Sequence, residues 1–171
     1  STLSSSSAAS DVYKRQVNYL QVLSESLDKK IDILKQLEAL TAAQKEIIDK
    51  GEFDEEAFND NVDSKAALID ELEKLDTGFQ ILYDNIKNQI EGNKDRYKQE
   101  IAALQVKIKT ITDLSLALQV AEQRNNVIVR NRFNSIRKDV YQAKKNREVA
   151  SNYYKSMNNI SSQSYFMDKK K

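Results

Sequence analysis

The sequence predicts an all-α protein: an elongated antiparallel three-helix bundle or coiled coil with a long third helix. Three observations carry that prediction. The chain has 171 residues with no Pro and only three Gly, so the usual helix breakers are nearly absent. Apolar residues recur at three- and four-residue steps from about Tyr19 to Ile48, from Phe58 to Ile90 and from Tyr97 to Met157. That is the period of an amphipathic helix. Gly51 and Gly92 divide the three runs.

The expected organisation is a disordered tail over 1–16, a helical bundle over 17–157 and a flexible C-terminal tail over 158–171. Helices are expected at about 19–50, 55–90 and 94–156. Residues 1–10 are Ser/Ala-rich without a basic start or an apolar stretch, unlike a secretory signal. Asp11-Val12-Tyr13-Lys14-Arg15-Gln16 resembles one reading frame of a transposase adapter end used in sequencing libraries. On that reading the segment is an assembly scar, and the native start lies near Val17.

In the first helix Asn18 is a candidate N-cap, with Gln21 reaching back to it. Leu20, Leu23, Leu27, Ile31, Leu34, Leu37 and Ile48 fall on one stripe, diluted by Thr41 and Gln44. Lys50 suits the negative end of the helix dipole, and Gly51 suits a left-handed cap. The second helix restarts at Asp54, an N-cap candidate followed by Glu55 and Glu56. Phe53 before the cap and Phe58 in the first turns fit a hydrophobic staple. Val62, Ile69, Leu72, Phe79, Tyr83, Ile86 and Ile90 face inward, and Leu68, Leu75 and Leu82 widen that face. The helix is expected to continue through Gly78, where a neighbouring helix approaches closely.

Gly92-Asn93 makes the second turn, with Asn93 as a cap. The third helix carries Tyr97, Ile101, Leu104, Ile108, Ile111 and Leu118. Its stripe is interrupted by Glu122, Arg124, Asn125 and Asn126. It resumes at Val129, Phe133, Ile136, Val140 and Ala143, and again at Val149, Tyr153 and Met157. The three runs measure roughly 48, 54 and 93 Å at 1.5 Å per residue. About 25 residues of the third, roughly 38 Å, therefore extend past the bundle near Val129 with an apolar stripe. That surplus can kink at Arg124–Asn126 and fold back, dimerise, or take a partner.

Charge is mixed in sign, at 31% of residues and net +1, which disfavours a simple polyanion binder. It is unevenly placed. Residues 52–76 hold ten acidic and two basic side chains, whereas 124–148 hold eight basic ones. One reading is complementarity between antiparallel helices, worth ~0–1 kcal/mol per surface pair. The other is that Arg130, Arg132, Arg137, Lys138, Lys144 and Lys145 flank a groove for an acidic partner segment.

Chemistry is poorly served by these residues. With no His and no Cys, the commonest general base, thiol nucleophile and soft metal ligand are missing. A ferritin-like di-iron site needs Glu-x-x-His pairs. Asn59-x-Asn61-x-Asp63 opens like a calcium loop, but Ser64 and Asp70 stand where Gly and Glu belong. Glycine-rich phosphate loops are absent, as is an apolar run long enough for a bilayer. The expectation is a non-enzymatic binding protein without metal or cofactor. Nucleic acid and membrane insertion are not expected, and the chain is expected to be a monomer or weak dimer.

Several local patterns are shared with one family. They are the Asn18-Tyr19-Leu20 opening, Lys65 ahead of Leu68, Leu72 and Leu75, and Glu122 and Asn125 ahead of Ile128-Val129. The ending from Tyr153-Tyr154-x-x-Met157 to Phe166-Met167-Asp168 completes the set. Over roughly Val17 to Lys171 the chain resembles the FlgN-type flagellar export chaperones, most closely their clostridial members. The resemblance implies a cytoplasmic chaperone. Such a protein binds C-terminal helical segments of hook–filament junction subunits, prevents premature assembly and delivers them to the export apparatus. It places partner contact on Phe133, Ile136, Val140, Tyr141, Val149, Tyr153, Tyr154 and Met157, within the region that the length mismatch also selects. The competing readings are a structural coiled coil self-associating through helix 3, or a chaperone for another flagellar or secreted cargo.

Overall fold

The computed structural model describes residues 2–134, 137–157 and 167. Four helices follow one another: α1 (Thr2–Asp49), α2 (Glu55–Glu91), α3 (Lys98–Arg132) and α4 (Arg137–Met157). The all-α bundle of long helices is as expected. α1 packs against both α2 and α3, and α4 packs back against α2 and α3.

The third run is thus two helices rather than one spanning 94–156. α3 passes straight through the polar stretch at Asn125 and ends at Phe133, whose backbone leaves helical geometry at φ −111°, ψ 19°. The physical reason is at that end of the bundle. Phe133 packs on Phe53 at 4.2 Å between ring centroids and on Phe58 at 6.1 Å. Arg132 donates to the Ile48 carbonyl at 2.6 Å and the Gly51 carbonyl at 3.0 Å, tying α3 to the end of α1. A helix continuing outward would leave its apolar stripe in water. Folding back buries Ala150, Tyr153 and Tyr154 instead, at roughly 25 cal/mol per Å² of apolar surface covered.

The restart of α2 follows the staple reading. Asp54 accepts from the Ala57 N–H at 2.9 Å, and Phe53 and Phe58 sit 5.5 Å apart. That cap is worth about 1 kcal/mol. The core positions read from α2 are all buried, as are Leu20, Leu23, Leu27, Leu34, Leu37 and Ile48 of α1. Ile31 is only partly buried, because Lys30 occupies the inward position beside it.

Other local expectations are corrected. α1 does not begin after Asn18 but runs from Thr2, since nothing in its first turns breaks a helix. Residues 7–12 are exposed, but Tyr13 stacks on Tyr97 at 5.8 Å and Gln16 is buried, hydrogen-bonded to Gln89. The first sixteen residues are therefore not wholly unpacked. Gly51 has no positive φ, so α1 ends without a left-handed glycine. Asn93 donates back to the Gln89 carbonyl at 3.0 Å rather than capping α3, which starts at Lys98. A Cβ at Gly78 would meet nothing within 4 Å, so no close helix approach explains that residue. In the C-terminal tail Met167 packs against the main core; the rest of 158–171 lies outside the described residues.

Candidate partner-binding site

The α4 fold-back sits on a polar layer built from three other helices. Thr41 and Gln44, which dilute the α1 stripe, meet Glu122 and Asn125, which interrupt the α3 stripe. Asn125 donates to the Thr41 carbonyl at 2.9 Å and to Gln44 Oε1 at 3.0 Å. Thr41 Oγ1 lies 3.3 Å from Glu122 Oε1. From α2, Lys65 forms a buried ion pair with that same Glu122 oxygen, and Asn61 donates to the Leu40 carbonyl at 2.8 Å. Asn61 is thus spent in the core and opens no calcium loop. Among the described residues no cluster of carboxylates could hold a metal ion.

α4 brings Arg147 onto this layer. Its side chain is 3% exposed, and none of its three guanidinium nitrogens has a hydrogen-bond partner. Burial holds its pKa below the ordinary arginine value, with the Glu122 carboxylate opposing that shift. Lys65 is lowered for the same reason, and Glu122 again opposes. About two turns further on, the Tyr154 hydroxyl is buried and unpartnered. Beside it, Tyr153 donates to Asp76 Oδ2 at 2.5 Å, while Lys30 holds Asp76 Oδ1 at 2.6 Å. Burial raises both phenols well above their usual pKa. The Asp76 charge adds to the shift at Tyr153, and Glu122 adds to it at Tyr154.

The partner-contact residues read from sequence therefore do not form one open stripe. Phe133 is buried in the aromatic cluster at the α1–α2 turn, Tyr153 and Tyr154 are buried against α2 and α3, and Val149 is 51% exposed. Of the expected orienting cations, Arg130 and Lys145 are exposed and Arg132 is engaged with α1. Ile136 lies outside the described residues. So do the side chains of Arg137, Lys138, Val140, Tyr141, Lys144 and Met157, whose backbone belongs to α4. The expectation of an uncovered surplus is overturned at Phe133, Tyr153 and Tyr154, because the same molecule covers them. Arg147 is the residue that sequence reading missed. Its only signal was that it falls between Ala143 and Ala150 on the same helical face.

Over residues 19–159 the chain matches the family model described as FlgN protein. The chain belongs to the FlgN family. FlgN proteins are chaperones of flagellar export, a family of binding proteins rather than enzymes. No curated protein and no solved structure matches the chain. The FlgN match covers all of α2, α3 and α4 and most of α1, so the fold-back and its polar layer lie inside the family's span. Among the described residues no helix is long and apolar enough to cross a membrane.

Proposed function

We propose that this FlgN-family chain is a cytoplasmic chaperone for hook–filament junction subunits. It would bind their C-terminal helical segments, keep them from assembling early and hand them to the export apparatus. The observation that carries this reading is the fold-back itself. α4 is the shortest of the four helices, it lies on α2 and α3 as an incoming helix would, and it places unpartnered polar groups against them. An amphipathic segment that satisfies those α4 groups better than α2 and α3 do draws α4 onto itself. Released, α4 would offer Tyr153, Tyr154 and Met157, together with Val149, Tyr141 and Val140, as aromatic and apolar anchors, and Ile136 just ahead of it would add to them. Phe133 stands at the hinge. Arg130, Arg132, Arg137, Lys138, Lys144 and Lys145 would guide an acidic segment and raise its encounter rate.

The test is calorimetric titration of a junction subunit's C-terminal segment into the full chain and into a chain ending at Asn146. Binding by the full chain and none by the shortened one is expected. Equal affinity in the two would remove α4 from the contact surface. Helicity measured beforehand shows whether the shortened chain is folded.

A further inference from the structure

Charge in the polar layer does not balance. Lys65 and Arg147 bring two cations, and Glu122 is the carboxylate they share. Among the described residues the other charged groups acting on Arg147 are Arg130, which adds to the excess, and Glu148, which is exposed. A buried charge without a partner is strongly unfavourable, and a hydrogen-bonded carboxylate removes that penalty. Guanidinium also prefers a bidentate carboxylate to any single acceptor.

A small crevice between α2 and α4 touches the layer. It is lined by Gln44 of α1, by Val62, Lys65, Ala66 and Ile69 of α2 and by Arg147 and Ala150 of α4, so both cations border it. Ala66 is the exposed residue of that lining. The room in the crevice is about 10 Å³, the size of one water. A carboxylate enters only as α4 eases away from α2.

We infer that the Lys65–Arg147 crevice is a specificity site for one side-chain carboxylate, an Asp or Glu on the partner's amphipathic segment. This rests on the chaperone reading above and adds to it the chemistry by which cargo is told apart. Apolar anchors alone would accept many amphipathic helices. A required acid at one register position rejects those that leave the guanidinium unpaired. The partner's acid completes a layer that is one negative charge short among the described residues, so cargo binding and movement of α4 are coupled.

The experiment uses the C-terminal segment of a junction subunit, with each Asp or Glu changed singly to Asn or Gln, and a further copy amidated at its C-terminus. Each is titrated into the full chain and into Arg147→Met, whose fold is checked by thermal melting. Arg147→Gln serves as a second variant. One amide-substituted position is expected to weaken binding to the unaltered chain at least about tenfold. The same substitution should have no effect on binding to Arg147→Met. If the unaltered segment binds and every side-chain variant binds equally well, the acid anchor is wrong and the chaperone reading stands. Sensitivity confined to the terminal amide, or a sensitive position that persists in both Arg147 variants, also overturns the site. No binding by the unaltered segment overturns the chaperone reading, and this inference with it.

Discussion

Tyr153 of α4 donates its hydroxyl to Asp76 Oδ2 at 2.5 Å, on the carboxylate whose other oxygen receives Lys30 of α1 at 2.6 Å. One acid of α2 thereby holds both the first helix and the last. Lys30 also lies 6.0 Å from the Tyr153 ring centroid. The charge of Asp76 is matched by Lys30, so the phenol is bonded to a paired carboxylate and stays protonated.

Alkaline pH is expected to release α4. The pKa values of Tyr153 and Tyr154 are raised chiefly by burial, so their contribution is complete below the unfolded value of about 10 and lost as pH climbs above it. Lys30 and Lys65 act oppositely. Their values are lowered from 10.5, again chiefly by burial, so stability is regained as pH rises from the folded values toward 10.5. Phenolate absorbance should show two tyrosines that ionise only as helix docking is lost, and one fewer in Tyr153→Phe. Ordinary titration of all eight tyrosines while the fold stays intact would refute the docked arrangement.

Glu122 should matter more than Lys65. Glu122→Gln leaves two buried cations without a carboxylate and is expected to cost about 3–5 kcal/mol. Lys65→Met removes one cation and frees Glu122 for Arg147, so its cost should be less than half as large. Urea unfolding of the two variants measures both. Equal losses would mean that Arg147 does not reach Glu122.

Gly78→Ala should stabilise the chain. The position is inside α2, and its added methyl meets nothing within 4 Å. The gain expected from helix propensity and a less flexible unfolded chain is about 0.5–1 kcal/mol, a rise of roughly 1–4 °C in Tm. A lower Tm would point to a neighbour at Gly78 absent from the docked structure.

Shortening the N-terminus should have a threshold. Removing residues 1–11 takes away helix that is exposed wherever its side chains are described and should leave Tm unchanged. Removing 1–16 also takes the Tyr13–Tyr97 stack, the Arg96 cation 4.6 Å from the Tyr13 ring, and buried Gln16. A loss of about 1–2 kcal/mol is expected. Identical melting of the two shortened chains would show that this segment adds nothing.

Helix content, the inward faces of α1 and α2, and the Asp54 staple were legible in local order alone. Period, caps and breakers act over a few residues, and their physics is the same wherever the segment ends up. The interruptions at Thr41, Gln44, Glu122 and Asn125 were equally visible, but as defects. Their meaning needed partners from about 80 residues away, and pairing over such distances leaves no periodic trace. The reversal at Phe133 was hidden for a related reason. No Pro or Gly marks it, and the aromatic contact that ends α3 belongs to Phe53 and Phe58 at the opposite side of the chain's path. Amino-acid order settled which faces are apolar. Packing in three dimensions settled which of them are covered, because burial depends on neighbours brought together by the turns, and here α4 became its own bundle's fourth wall.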